Sequence, residues 1–156
     1  MPQGRGTEAV ADERAARSVT KEQTAVTPEE VVDRAYELIS FAAGGEPAWP
    51  EFRELFTQPS VLALRVFPGD ETITVMDLDA YVVHQMRDGL SEEGYSEIPG
   101  ERTTTVVGDA AVVLQQFTMQ FKDRSPVPAF DAFSLVRLSG VWKIASIISD
   151  MSPDAG

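Results

Sequence analysis

Residues 133–150 read Phe133-Ser134-Leu135-Val136-Arg137-Leu138-Ser139-Gly140-Val141-Trp142-Lys143-Ile144-Ala145-Ser146-Ile147-Ile148-Ser149-Asp150. Apolar residues alternate with small or polar ones on both sides of Ser139-Gly140, the pattern of two strands joined by a tight turn. Working backwards, 102–107 and 110–122 form another strand pair around Gly108-Asp109. The strand after that turn is long enough to twist strongly. A polar loop with prolines, 123–128, links the two pairs.

The N-terminal half reads as helices. Thr27-Pro28-Glu29-Glu30 supplies a capping residue, a proline suited to the first turn and a capping-box glutamate. Val31, Ala35, Leu38, Ile39 and Ala42 then recur at helical spacing, and Gly44-Gly45 provides a stop. Trp49, Phe52, Leu55 and Phe56 line a second short helix that begins near Pro50. Strands at 61–67 and 72–76 flank Pro68-Gly69-Asp70-Glu71. A third helix runs from Asp77 or Asp79 to Gly89, with Leu78, Val82, Val83, Met86 and Leu90 as its apolar stripe. Helices followed by an antiparallel meander predict an α+β fold. The expected shape is a cone: one strongly curved antiparallel or mixed sheet wrapped over three helices, with a cavity where sheet and helices part. The domain is expected at 27–156.

Composition narrows the partners. The net charge is −12. Residues 1–26 balance Arg5, Arg14, Arg17 and Lys21 against Glu8, Asp12, Glu13 and Glu22, so the excess lies on 27–156. Such a surface repels phosphate backbones and anionic head groups, which argues against nucleic-acid and membrane partners. Residues 1–26 hold few large apolar groups and read as a flexible arm, with docking on a partner as the alternative. The chain has no cysteine, which removes disulfides and thiolate chemistry and fits a reducing, cytoplasmic setting. No apolar leader or membrane-length run is present. One histidine argues against a histidine metal site, and no glycine-rich phosphate loop or Gly-x-Ser-x-Gly elbow occurs, so no cofactor or metal is expected.

Three segments carry a resemblance. They are Val31-Val32-Asp33-Arg34-Ala35-Tyr36 in the first helix, Trp49-Pro50-Glu51-Phe52-Arg53-Glu54-Leu55-Phe56 in the second, and Trp142-Lys143-Ile144 in the last strand. In order and spacing the chain resembles the nuclear transport factor 2-like (SnoaL-like) superfamily over about residues 27–150. More narrowly, it is similar to bacterial members whose first helix ends in Leu-Ile-Ser-Phe and a glycine-containing loop, as in Leu38-Ile39-Ser40-Phe41-Ala42-Ala43-Gly44. The resemblance implies a cystatin-like cone and a homodimer formed through the outer sheet face. It leaves the function open among ketosteroid isomerases, polyketide cyclases, dehydratases, epoxide hydrolases and proteins that only bind. The enzyme patterns do not transfer. A ketosteroid isomerase would carry an aspartate base where this chain has Leu64-Arg65-Val66. Tyr36 is displaced by one residue from the expected oxyanion tyrosine, a turn of about 100° on a helix. No Arg-x-Asp of an epoxide hydrolase occurs, and Ala145-Ser146-Ile147-Ile148-Ser149 stands where some members carry histidines.

The candidate catalytic residues are Asp131, Asp150 and His84; the candidate pocket residues are Tyr36, Arg65 and Trp142. Asp131 shares a strand face with Phe133 and Leu135, and Asp150 with Trp142, Ile144 and Ile148; burial would raise either carboxyl's pKa and suit it to proton transfer. Against this, both lie near strand ends, where an exposed aspartate is normal. His84 forms an i, i+3, i+7 set with Tyr81 and Asp88, either a positioned base or a solvated helix flank. Arg65 could meet a ligand carboxylate or Asp131, or simply face water on an edge strand. Tyr36 sits on a half-buried face, where its hydroxyl needs a partner, in the pocket or on the backbone. Trp142 marks the wall of the cone. Gln116, Thr118 and Gln120 alternate with Phe117, Met119 and Phe121, and the Phe/Met set is expected to face the helices. Three functions stay open: binding of a small apolar or aromatic molecule, proton-transfer catalysis of the isomerase, cyclase or dehydratase type, and a dimeric interaction module.

Overall fold

A computed structural model describes residues 27–153; the arm expected at 1–26 lies outside them. The first helix, α1 (Pro28–Ile39), starts as a capping box. Thr27 Oγ1 accepts from the Glu30 amide at 3.1 Å, and Glu30 Oε1 accepts from the Thr27 amide at 3.1 Å. Its buried face is Val31, Val32, Ala35, Tyr36, Leu38 and Ile39. The helix ends at Ile39 rather than at Gly44, because Phe41 forms a β-bridge with Tyr95. The backbone there exchanges hydrogen bonds of 2.9 and 3.1 Å, which pulls the chain out of helical geometry. Helix α2 (Trp49–Arg53) is shorter than expected, because Phe56 already belongs to β1 (Phe56–Leu64).

The remaining elements are β2 (Thr74–Met76), α3 (Leu78–Gln85), the one-turn α4 (Leu90–Glu93), β3 (Ser96–Val107), β4 (Ala110–Gln120), β5 (Val127–Leu138) and β6 (Val141–Met151). Among the described residues the strands form one curved, unclosed sheet in the order β2-β1-β6-β5-β4-β3. Only β1–β6 is parallel; the other pairs are antiparallel. The fold is therefore α+β with a mixed sheet. Strand β4 alternates as its sequence suggests: Val113, Phe117 and Met119 are buried under the helices, while Gln116 and Gln120 are exposed.

Bulges in β6 and β3 break that simple alternation. In β6, Ile144 pairs with Leu135 but Ser146 pairs with Ser134, so Ala145 is an extra residue. Trp142 and Ile144 face inward, and after the bulge Ile147 and Ser149 do. Asp150 and Ile148 turn to the other side, so Asp150 does not share a face with Trp142 and Ile144. In β3, Pro99 pairs with Phe117 and Arg102 with Gln115, which leaves an extra residue at 100–101. Gln115, fully buried, holds that bulge by donating from Nε2 to the carbonyls of Gly100 and Glu101 at 3.0 and 3.1 Å. The strand expected at 102–107 thus starts earlier, at Ser96, and runs through Pro99 and Gly100.

Helix α3 presents another face than its apolar residues suggest. Leu78, Tyr81 and Gln85 are buried, and Val83 is exposed. Apolar residues are spread around this helix, so packing against β1 decides which side turns in. No helix among the described residues is long and apolar enough to cross a membrane.

Candidate functional site

Between α1, α3 and the inner sheet face lies a cavity of about 50 Å³. That is room for roughly three to five water-sized positions. Its walls are mostly apolar, with Phe52, Leu62, Phe117 and Phe133 among them, and they hold two carboxyls, Asp131 and Glu97.

Asp131 projects from the middle of β5, in register with Gln115 on β4 and Ser149 on β6. It is buried, and Tyr36 on α1 donates its hydroxyl to Oδ2 at 2.7 Å. The Tyr36 ring is held between Phe117 and Phe133, with centroids 5.4 and 5.9 Å away. Desolvation pushes the Asp131 pKa up to about 6, against the opposing hydrogen bonds from Tyr36 and Ser149. Burial, reinforced by the Asp131 charge and hydrogen bond, holds the Tyr36 hydroxyl protonated far above its usual range. Tyr36 is thus a donor at every physiological pH.

Glu97 projects from β3, opposite Met119. Its residue is half-buried but its carboxylate lines the cavity, where Tyr95 donates to Oε2 at 2.5 Å. Desolvation first, and the nearby Asp131 charge second, push its pKa up to about 8, while the Tyr95 hydrogen bond opposes the shift. Ser40 joins the two halves: its hydroxyl donates to the Tyr36 carbonyl at 2.9 Å and accepts from the Glu97 amide at 3.1 Å. The two carboxyls influence each other, so they titrate as a pair in two steps. Between the two steps, near neutral pH, the pair holds one proton between Glu97 and Asp131. One site then holds an acid and a base.

This arrangement carries a cost in stability. Both folded pKa values are raised, so the native state binds protons that the unfolded chain has released. The contribution is complete below about pH 4 and is lost as the pH rises through about 6 and then 8. Allowing for the coupling and for the partial exposure of Glu97, the loss is on the order of 2 kcal/mol, or about 5 °C in Tm. Asp70 and Asp150 work in the opposite direction, held below the usual range by hydrogen bonds from Arg87 and Arg65. Their contribution disappears only in acid. Thermal melts from pH 5 to 9 are therefore expected to decline in the wild type and to flatten in Glu97→Gln. Parallel declines in the two proteins would refute the placement of the raised pKa on Glu97.

Of the residues singled out in the sequence, Tyr36, Arg65 and Asp131 line the cavity. Asp150, His84 and Trp142 do not. Asp150 is half-exposed and accepts from Arg65 Nε at 2.7 Å. His84 is exposed on α3, on the flank that Tyr81 and Gln85 leave outside. Trp142 is buried in the core beneath the Arg137 guanidinium, 5.1 Å from its ring centre. Arg65 reaches neither Asp131 nor open water alone; it bridges Asp150 and the Asp70 carbonyl at 2.8 Å. Tyr36 points into the cavity despite its one-residue displacement. Glu97, Gln85 and Ser149 line the cavity unannounced. For Glu97 a signal exists: Tyr95 and Glu97 alternate with Ser96 and Ile98 as a strand would, ahead of Pro99-Gly100.

No family model matches the sequence, and no curated protein matches it. Solved structures do. A nuclear transport factor 2-like protein with a cystatin-like fold from Novosphingobium aromaticivorans is 14% identical, with 99% of this chain and 95% of that one covered and a TM-score of 0.61. A cystatin-like-fold protein of unknown function from Nostoc punctiforme is 11% identical over 81% and 89%, with a TM-score of 0.61. A proposed ketosteroid isomerase from Shewanella frigidimarina is 19% identical over 66% and 81%, with a TM-score of 0.51. At such identities the likeness carries the architecture alone.

Proposed function

From a nuclear transport factor 2-like, cystatin-like fold with two carboxyls in one cavity, we propose that this protein moves a proton on a small uncharged carbonyl compound. What supports the reading is the pair itself: Asp131 and Glu97 line the same apolar cavity, and burial pushes both carboxyls up. Asp131 takes a proton from the carbon beside the carbonyl, and the C–H electron pair becomes the C=C bond of the enol. Glu97 gives its proton to the carbonyl oxygen. The reverse step returns a proton to carbon, at the same or a neighbouring position, so isomerisation and exchange share one machinery. The tyrosines stay protonated and keep each carboxyl aimed. The cavity is small, about 50 Å³, which limits the substrate to a compact molecule. The test is proton–deuterium exchange of cyclopentanone in heavy water, followed by NMR. Exchange no faster than with a heat-denatured sample would end the proposal. Binding without chemistry is the second reading, favoured by the tyrosine already hydrogen-bonded to each carboxyl. Saturable binding of cyclopentanone without exchange is its signature.

The outer sheet face supports a homodimer. In one register row Leu114, Ala132, Ile148, Ala63 and Val75 lie side by side across β4, β5, β6, β1 and β2. Ile148 is 56% and Val75 72% exposed, large values for apolar groups on a continuous strip. A second copy covers this strip. Sedimentation should give twice the chain mass, with Ile148→Lys giving the single-chain mass. A wild type that sediments as a monomer at 0.1 mM or so would exclude a dimer of ordinary strength.

A further inference from the structure

Gln115 stands in the middle of β4, fully buried, opposite Asp131 of β5 on one side and Arg102 of β3 on the other. Its Nε2 donates to the carbonyls of Gly100 and Glu101 at 3.0 and 3.1 Å, and to that of Gln116 at 2.8 Å. Among the described residues no donor reaches its Oε1. An unpaired buried acceptor is costly, and an apolar side chain of the same shape would avoid that cost. Stability therefore gives no account of a glutamine at this position; what its donor end holds does.

That end holds the extra residue of β3. Side chains alternate along a strand, so residues an odd number apart face opposite ways. Glu97 and Arg102 are an odd number apart, yet both face inward: Glu97 lies opposite the buried Met119 and Arg102 opposite Gln115. Glu97 reaches the cavity, while Arg102 pairs with Asp33 and donates to the Glu29 carbonyl of α1 at 3.3 Å. The bulge at 100–101 reconciles the two. With Arg102 in place and every residue of β3 paired in turn, Glu97 would stand on the outer face. Ile98, 47% exposed as it is, would take the carboxyl's place in the cavity, an exchange that hydrophobicity alone favours. Glu97 would then leave Asp131 of β5 and the hydroxyls of Tyr36, Tyr81 and Tyr95, the groups that act on it now.

We propose that Gln115 is a positioning residue for the acid: its amide holds the β3 bulge, and the bulge turns Glu97 into the cavity. The proposal rests on the proton-transfer reading for the role of Glu97, and its first test needs no substrate.

Carbon-13 NMR of the side-chain carboxyls follows Glu97 directly. In the wild type its titration should include a step at about 8. Gln115→Met keeps the length and bulk of the side chain but has no donor, and there Glu97 should titrate at its ordinary 4.5. Deleting Gly100 from Gln115→Met removes the extra residue, so an unbroken ladder now leaves Glu97 facing in, and the step at about 8 should return. That deletion would not mend a packing defect at position 115, so the recovery separates positioning from stability. Cyclopentanone exchange at pH 7 should fall about 10²-fold in Gln115→Met and recover with the deletion. A wild type without the step, a step that survives in Gln115→Met, or one that the deletion fails to restore would overturn the inference. Wild-type exchange alongside any of those results would leave the proton-transfer reading standing. The expected titrations without wild-type exchange would remove that reading and leave Gln115 as the residue that sets the face of Glu97.

Discussion

Asp131→Asn should lower cyclopentanone exchange by about 10²- to 10⁴-fold, the usual contribution of a positioned general base. The amide keeps the shape of the carboxyl and can still accept from Tyr36, so the fold should survive. It cannot take up the proton from carbon. Wild-type exchange should follow a bell in pH, with an acid limb near 6 and a basic limb near 8. Below the first limb Asp131 is protonated and no base is present; above the second Glu97 is ionised and no acid is present. Tyr36→Phe removes a hydrogen bond that holds the Asp131 pKa down, so the acid limb should move up and the bell should narrow. Exchange by Asp131→Asn within about threefold of wild type would refute the role, since a base contributes at least 10²-fold.

Gly94→Ala should destabilise the fold by about 3 kcal/mol, roughly 10 °C in Tm. Gly94 adopts φ +82°, and a Cβ there would lie 2.7 Å from the Ala43 backbone nitrogen and 3.1 Å from the Ala42 carbonyl carbon. Those are backbone atoms, held by the Phe41–Tyr95 bridge, and they cannot swing aside. The affected segment leads directly into Tyr95 and Glu97, so the acid should move with it. Gly89→Ala is the control. Gly89 has φ +88° but nothing within 4 Å of the added Cβ, so only the conformational cost of about 1–2 kcal/mol applies. Denaturant melts that give the same loss for both variants would show that the close approach to Ala43 contributes nothing.

Half of the candidate site was legible in the chain. Tyr36 and Asp131 stand out because each is a polar group on an otherwise apolar inward face, and such groups need partners. They turn out to be each other's partner, 95 residues apart. Glu97 was concealed by Pro99-Gly100, which locally signals a turn. The strand continues because its extra residue is absorbed in a bulge held by Gln115, a contact from the neighbouring strand. Asp150 was misplaced for the same kind of reason. Beyond Ala145 every side chain of β6 changes side, which takes Asp150 out of the cavity and puts Ser149 beside Asp131. Gln85 belongs to a helix with no clear apolar stripe, where local pattern offers no preferred face.

The sequence by itself determined the elements whose signals are local: the capping box at Thr27, the turns at Gly108-Asp109 and Ser139-Gly140, and the alternation of β4. Together these specified an α+β cone with helices before a meander. Only the tertiary structure decided which acid meets which base. The reason is physical. Caps and turns depend on residues three or four apart, whereas the inward or outward sense of a side chain beyond a bulge depends on pairing with another strand. A single inserted residue moves a carboxyl from solvent to cavity or back, with the chemistry that goes with it.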